Sequence, residues 1–139
     1  MLVDDNAINR KVGSKILKRI GYRPDISNSG QEAIEACQKQ PYDLVLMDIE
    51  MPDMNGITAT EKIRELLPDE NMPYFVALTA NAMESDRKTY LASGMDGYLS
   101  KPINMSALME ALDDASEHRS SLEKSKTWVS SESMSIQFQ

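Results

Sequence analysis

Cysteine, histidine and long apolar runs are scarce in this sequence, and each shortage excludes a class of protein. Cys37 is the single cysteine, so no disulfide framework forms within the chain, and we expect a buried thiol in a reducing compartment. The single histidine, His118, lies in a polar region, which argues against a histidine-based metal centre or a histidine phosphodonor in this chain. No apolar stretch approaches the roughly 18 residues that span a bilayer, and no signal peptide opens the chain. We therefore expect a cytoplasmic domain, whether or not its parent protein is membrane-bound.

Positive charge is also in short supply. The 139 residues include 15 lysines and arginines against 22 acids, and the formal net charge is -7. Nucleic-acid backbones and anionic membranes repel an acidic surface, so we expect no direct contact with either. The length predicts one domain, and an apolar content of 41% is ordinary for a globular protein.

A run of four apolar residues that ends in an acid organises the rest of the chain. Leu44 to Met47 are followed by Asp48, with Pro41 before the run and turn-forming residues after it, up to Gly56. A short apolar run between turn signals is typical of a strand buried on both faces. A carboxylate at the C-terminal end of such a strand lies where open α/β sheets bind their ligands. The alternative is a solvated acid that merely ends a strand.

The remaining chain alternates short strands with amphipathic helices. We predict strands at 1–3, 22–27, 44–47, 74–78 and 97–100, each followed by a helix. This alternation predicts a parallel sheet with right-handed crossovers and with helices on both faces. Pro24 places the second strand at an edge of the sheet. Because a central strand usually has about five or six residues, we expect the start of the first strand to be missing from the chain.

Capping residues and apolar spacing predict the helices. Asn6, Ser85 and Asn104 are predicted N-caps, and Gly21 and Gly94 are predicted to end helices. The first helix is predicted to bury an apolar stripe of five residues, Ile8, Val12, Ile16, Leu17 and Ile20.

The periodic pattern stops after Asp114, where serine becomes frequent. We predict a domain over residues 1–115, and a serine-rich disordered tail or linker over residues 116–139.

Five polar side chains lie at the predicted C-terminal ends of four strands: Asp4, Asp5, Asp48, Thr79 and Lys101. Because parallel strands end at the same edge of a sheet, we expect these side chains to meet. Three carboxylates in one cleft repel one another, and their oxygens suit Mg²⁺. Carboxylates, a metal, a lysine and a hydroxyl together stabilise a transferring phosphoryl group, and one carboxylate can attack it. The alternative is a set of ordinary polar residues at strand ends.

With these residues in place, the sequence resembles the receiver domain of two-component response regulators. The matching segments are 3–6, 46–52, 55–56, 77–82 and 97–102, and the resemblance extends over about residues 1–115. It implies a flavodoxin-like (βα)5 fold, a doubly wound parallel sheet of five strands in the order 2-1-3-4-5.

The resemblance also implies roles for the acids. Asp48 is implied as the phosphoacceptor, which takes phosphate from a phosphohistidine on a partner. Asp5 and Asp48 are implied as side-chain ligands of Mg²⁺, with Asp4 acting through water and the backbone carbonyl of Glu50 completing the site. Glu50 and Asn81 match positions that tune how fast the phosphate is lost.

Four further residues match the parts that respond to phosphate. Lys101 is implied to pair with one phosphate oxygen and Thr79 to swing in and hold another. The ring of Tyr98 is implied to turn into the space that Thr79 vacates. The peptide bond between Lys101 and Pro102 is implied to be cis, an isomer that proline makes accessible.

The segments 6–10 and 79–83 resemble receivers attached to hybrid sensor histidine kinases. The implied partner is a histidine kinase or a histidine phosphotransfer protein, and no oligomeric state is implied. The domain would be a phosphoacceptor that assists its own phosphorylation and dephosphorylation rather than an enzyme.

Two alternatives stay open at this point. One is a receiver-like docking module that never takes phosphate, although such modules usually lack an acid or the lysine. The other is an enzyme on the same fold. A dehalogenase-type phosphatase would need an Asp-x-Asp motif where Asp4, Asp5 and Asn6 stand, and a flavodoxin would need a loop rich in glycine and hydroxyls.

Overall fold

The computed structural model describes residues 1–52, 54–80 and 84–117, with the side chains of residues 84–87 not described. The elements are β1 (Leu2–Val3), α1 (Ala7–Ile20), β2 (Ile26–Ser27), α2 (Gly30–Lys39), β3 (Leu44–Asp48), α3 (Gly56–Leu66), β4 (Tyr74–Thr79), α4 (Glu84–Ala92), β5 (Gly97–Ser100) and α5 (105–117). Five parallel strands form one sheet in the order β2-β1-β3-β4-β5, which confirms the predicted fold and strand order.

The apolar run of β3 is buried on both faces of the sheet, as predicted. Val45 and Met47 pack in one core cluster with residues of α2, α3 and α4, and Leu46 packs in a second cluster with residues of α1 and α5. All three side chains are at most 1% exposed. Because successive side chains of a strand point to opposite faces, a continuous apolar run is what two buried faces require.

Four predicted helix ends are confirmed. The Asn6 side chain accepts hydrogen bonds from two backbone amides in the first turn of α1, and Asn104 Oδ1 accepts one from the α5 backbone at 2.8 Å. Gly21 and Gly94 follow α1 and α4 with φ angles of 113° and 102°, a region that glycine enters at little cost.

The second strand is much shorter than predicted. We expected residues 22–27, but β2 contains only Ile26–Ser27, and Pro24 lies before it. Its pairing with β1 is limited to two residues, Leu2 with Ile26 and Val3 with Ser27. The edge position of β2 is confirmed.

The predicted apolar stripe of α1 was partly wrong. Ile8 is 73% exposed and Val12 is 42% exposed, whereas Gly13 and Leu17 are buried. Gly13 lets the helix approach Leu2 of the sheet, since a Cβ atom there would lie 2.9 Å from a Leu2 methyl group. The helix therefore turns its Gly13 and Leu17 face to the sheet and its Ile8 and Val12 face outward.

Smaller corrections concern helix bounds and faces. Helix α4 begins at Glu84, so Ser85 lies inside it and does not precede it as a cap. The predicted loop after α3 contains a 3-10 turn at Asp69–Asn71. Three large apolar side chains on the helices are exposed, Leu66, Leu91 and Met109.

Within the described residues helix α5 covers 105–117, and the domain boundary at 115 stays a prediction. Most of the predicted tail, with His118, lies outside the described residues. Within the described part of the chain, the helices are too short or too polar to cross a membrane.

Candidate functional site

Three acids meet at the carboxyl edge of the sheet, as the strand-end argument predicts. One carboxylate oxygen from each of Asp4, Asp5 and Asp48 lies within 4.8 Å of the others. The pairing of Val3 with Met47 explains this, because it sets the residues that follow β1 beside Asp48. Asp4 and Asp48 are each 1% exposed, whereas Asp5 is exposed. The cleft therefore has two buried acids and one at its mouth.

Lys101 joins the acids from the end of β5. Its Nζ donates to Asp48 Oδ1 at 2.7 Å and lies 3.7 Å from Asp4 Oδ2. Its backbone amide donates to the Thr79 carbonyl at 2.8 Å, which ties the end of β5 to the end of β4. The peptide bond between Lys101 and Pro102 is cis, as the resemblance implied.

Asp48 has one satisfied oxygen and one orphaned oxygen. Oδ1 accepts from Lys101 and, at 3.0 Å, from the backbone amide of Glu50. Oδ2 is buried and has no hydrogen-bond partner among the described residues. A buried carboxylate oxygen without a partner is costly, and a hard cation is a ligand that would satisfy it. The donor set of three acids therefore fits Mg²⁺.

The charges of the site are not balanced by the protein alone. Burial raises the pKa of Asp48 to about 6, and the charge of Asp4 acts in the same direction, while the hydrogen bond from Lys101 opposes the shift. Burial would lower the pKa of Lys101, but its hydrogen bond to Asp48 and the neighbouring acids raise it overall. Asp48 is hard to ionise because it is buried beside a second buried acid. The site therefore favours the binding of additional positive charge.

Thr79 lies beside these charges, and its hydroxyl is paired with a residue that the sequence did not indicate. Asp48 pairs with Leu78 in the sheet, so Thr79 follows directly at the next position of β4. Its Oγ1 lies 3.0 Å from the Tyr90 hydroxyl, and the two residues are only 2% and 8% exposed. The sequence gave no local sign of this contact.

Arg10 is a second residue that sequence reasoning missed. Its Nη1 donates to the backbone oxygen of Asp4 at 2.8 Å. The available signal was its position, since Asn6 caps α1 and Arg10 lies about one turn later.

Gly56 allows the chain to turn closely past the backbone of Asp48. Its amide donates to Ile49 O at 3.1 Å, and a Cβ atom built on it would overlap the backbone oxygen of Asp48. The preceding Asn55 caps α3 by accepting from the Thr58 amide at 2.8 Å. The predicted turn at 55–56 therefore brings the chain directly against the backbone of Asp48 and Ile49.

Three residues with predicted roles are connected less directly to the acids. Tyr98 is half-buried on β5, where it pairs with Ala77. Glu50 has an exposed side chain, and its backbone amide contacts Asp48. Asn81 lies outside the described residues. The roles in phosphate response and phosphate loss implied for these residues stay predictions.

Comparison with known proteins gives consistent results. The chain is 43% identical over 119 residues to hybrid signal transduction histidine kinase B of Dictyostelium discoideum, covering 78% of this chain and 6% of that protein. The chain thus spans only a small part of the length of that relative.

Two solved structures share both fold and sequence. One is the receiver domain of sensor histidine kinase PA1611 from Pseudomonas aeruginosa PAO1, which holds magnesium in its active site cleft. It has a TM-score of 0.72 and 37% identity, and the match covers 81% of this chain and 92% of that one. The other is the co-crystal structure of the Saccharomyces cerevisiae histidine phosphotransfer protein Ypd1 with the receiver domain of Ssk1. It has a TM-score of 0.73 and 29% identity, with 79% and 82% of the two chains covered.

The family model described as the response regulator receiver domain matches residues 1–113. That match covers most of the chain and all five strands of the sheet. This chain belongs to the family of response regulator receiver domains of two-component signalling.

Proposed function

We propose that Asp48 accepts a phosphoryl group from a phosphohistidine on a partner protein, in a reaction that depends on Mg²⁺. The observation that carries this proposal is the state of Asp48. It is a buried carboxylate with one oxygen bonded to Lys101 and the other without a partner among the described residues, beside two further acids. Such a group is an activated nucleophile that needs a cation.

The transfer exchanges one bond for another. A bond forms between an Asp48 oxygen and the phosphorus as the bond from phosphorus to the donor imidazole nitrogen breaks, and the imidazole leaves with that electron pair. The product is an acyl phosphate on Asp48. Little covalent work falls to the rest of the site, whose residues position the group and offset its charge.

Each neighbouring residue has a part in that stabilisation. Asp5 and Asp48 would hold Mg²⁺, with Asp4 acting through water and the Glu50 carbonyl as a further ligand, and the ion would supply positive charge next to the phosphoryl oxygens. Lys101 already donates to Asp48 and would exchange that carboxylate for a phosphoryl oxygen. The Thr79 hydroxyl would donate a hydrogen bond to another phosphoryl oxygen.

We further propose that the donor is a histidine kinase or a histidine phosphotransfer protein, and that phosphorylation switches the interactions of the domain with its partners. The support is the similarity to a receiver crystallised with such a phosphotransfer protein and to a hybrid histidine kinase. In this proposal the chain is the receiver of a hybrid kinase, and it acts as a regulatory phosphoacceptor.

A small phosphodonor tests the proposal without the natural partner. Incubation with acetyl phosphate and Mg²⁺ should add one phosphoryl group to the wild-type chain by intact-mass analysis. Asp48→Asn, which keeps the shape but removes the nucleophile, should gain none, and chelation of the metal should abolish the gain. Asp25→Asn is a matched control, because Asp25 bonds Tyr42 and Gln40 away from the acids. Phosphorylation of Asp48→Asn, or none of the wild type, would overturn the proposal.

The alternatives have less support. A docking module that never takes phosphate would not need the 2.7 Å contact between Lys101 and Asp48 or the acids around it. A phosphatase of the dehalogenase type would need an Asp-x-Asp motif at positions 4 to 6. Asn6 stands where the second aspartate of that motif would be, and its side chain caps α1.

A further inference from the structure

The buried contact between the hydroxyls of Thr79 and Tyr90 connects the site to helix α4. The two oxygens are 3.0 Å apart, and both residues are at least nine-tenths buried. A buried hydroxyl that loses its partner keeps the full cost of its desolvation. The contact therefore favours a Thr79 hydroxyl that is directed towards Tyr90.

Tyr90 is well placed to pass a change at Thr79 into α4. Its ring lies in the same core cluster as Ala77 and Met95. Its carbonyl accepts from the Met95 amide at 3.0 Å and from Ser93 Oγ at 2.9 Å, where α4 ends. A displacement of Tyr90 would thus affect the last turn of α4 and the chain that leads into β5.

The Thr79 hydroxyl contacts Tyr90 and, in the proposed function, also has to contact a phosphoryl group on Asp48. Either hydroxyl can be the donor of this hydrogen bond, so the limit on Thr79 is the position of its oxygen, which χ1 places in one of three staggered positions. The oxygen is directed at Tyr90, whereas the carboxylate of Asp48 is bonded to Lys101 and lies among the acids at the edge of the sheet. To serve a phosphoryl group on Asp48, the Thr79 side chain would rotate about χ1, and its oxygen would leave its place beside Tyr90.

We infer that Tyr90 is a positioning residue that holds the Thr79 hydroxyl towards α4 until a phosphoryl group on Asp48 draws that hydroxyl away. The loss of the bond then releases Tyr90 and changes the end of α4. This inference rests on the proposed function, because it needs a phosphoryl group at Asp48. It assigns Tyr90 a task that acts through Thr79 and involves no contact with the phosphoryl group.

Tyr90→Phe tests the inference because it removes one oxygen and retains the ring. With Mg²⁺ present, beryllium fluoride serves as the probe, since it mimics a phosphoryl group on a carboxylate. Without the competing bond, Tyr90→Phe should bind the probe about three- to tenfold more tightly than wild type, the range of one neutral hydrogen bond. Tyr74→Phe is the matched control, because its hydroxyl lies 3.4 Å from the Asp96 carbonyl, and it should bind like wild type.

A double-mutant cycle shows whether Tyr90 acts through Thr79. In a Thr79→Ala background, Tyr90→Phe should leave affinity for the probe unchanged, because the competing bond is already absent. Amide exchange supplies a readout that a merely structural role would not move. In wild type the probe should change exchange over 84–95, and Tyr90→Phe should show most of that change before the probe is added. Circular dichroism and a thermal melt establish that each variant is folded.

The outcomes separate this inference from the proposed function. If wild type binds the probe but Tyr90→Phe binds equally or more weakly, or if the effect persists without Thr79, Tyr90 does not hold the hydroxyl back. If wild type fails to bind the probe at all, the proposed function is wrong, and the inference that rests on it is wrong too.

Discussion

The Lys101 side chain donates a hydrogen bond to Asp48 across the end of β4, the strand that lies between β3 and β5. The two residues are 53 positions apart in the chain, and their contact is 2.7 Å. β4 separates their strands in the sheet, so the lysine side chain passes over its carboxyl end. This contact places a cation beside a buried carboxylate that still has an orphaned oxygen. Lys101 compensates only part of the negative charge of the acids, so a metal ion can compensate the rest.

Mg²⁺ should stabilise the folded domain through these acids. A ligand that binds only the native state at tenfold its dissociation constant adds about 1.4 kcal/mol to the free energy of unfolding. Thermal melts with and without Mg²⁺ should therefore show a rise for wild type and a much smaller rise for Asp48→Asn or Asp5→Asn. The control Asp25→Asn should respond like wild type. An equal response of all four proteins would place the metal elsewhere.

Gly56→Ala should disturb the site through the backbone. A Cβ atom there would overlap the Asp48 carbonyl oxygen, and backbone yields less readily than a side chain. We expect a loss of about 2 kcal/mol or more in the free energy of unfolding, the upper range for overpacking, together with weaker Mg²⁺ binding. Urea unfolding and a metal titration measure the two effects.

Gly13→Ala is the comparison for that variant. Its Cβ atom would lie 2.9 Å from Leu2 Cδ2 and 3.4 Å from Ile103 Cδ1, which are the ends of side chains and not backbone. Stability should change less than in Gly56→Ala, and Mg²⁺ binding should be unaffected. If the two variants behaved alike, the tight turn at Asp48 would have no special role.

Arg64 should be a stabilising residue distant from the chemistry. Its Nε donates to the Gly94 carbonyl at 2.7 Å, and its Nη2 donates to Asp96 Oδ2 at 3.0 Å. Its guanidinium also lies 5.0 Å from the centre of the Phe75 ring. Arg64→Ala should lower the free energy of unfolding by about 1 to 3 kcal/mol, since it removes charge-assisted hydrogen bonds in a partly exposed place. Urea unfolding measures this loss.

The exposed Lys62 on the same helix provides the control for Arg64. Lys62→Ala should change stability by no more than about 0.5 kcal/mol, as is usual for surface positions. Phosphoryl uptake should survive in both variants under folding conditions. An Arg64→Ala variant as stable as Lys62→Ala would show that this network does not contribute.

Cys37 should make stability fall at alkaline pH. Burial raises the pKa of its thiol from an ordinary value of 9.0 to about 11. Between these values the folded protein keeps a proton that the unfolded chain has lost, so the free energy of unfolding should decrease as pH rises through this window, by up to about 3 kcal/mol. Urea unfolding between about pH 8 and pH 11 measures this slope.

Cys37→Ala should show a shallower slope over the same window, because the thiol no longer titrates. The slope that persists would belong to groups such as Tyr42 and Tyr74, whose pKa values burial also raises. Identical slopes in the two proteins would mean that the thiol titrates freely in the fold.

The meeting of the acids with Lys101 was predictable, because a parallel sheet brings every strand end to one edge. Asp4 and Lys101 could be placed beside Asp48 from strand order alone. The burial of Cys37 could be predicted in the same way, from the spacing of a helix face.

What the sequence did not predict depends on partners that are distant in the chain. β2 pairs with β1 over only two residues, and Ile8 is exposed while Gly13 faces the sheet. Nothing around Tyr90 indicates its contact with Thr79, since that contact depends on how α4 lies on β4. Local patterns report periodicity and caps, whereas these features are set by packing.

Chemical trapping of the phosphorylated site tests the central claim most directly. After exposure to a small phosphodonor and Mg²⁺, an acyl phosphate can be reduced with borohydride, which marks the modified carboxyl permanently for peptide mass spectrometry. The account predicts the mark on Asp48 and on no other acid. A mark on Asp4 or Asp5, or no mark on a folded protein with Mg²⁺ bound, would contradict it.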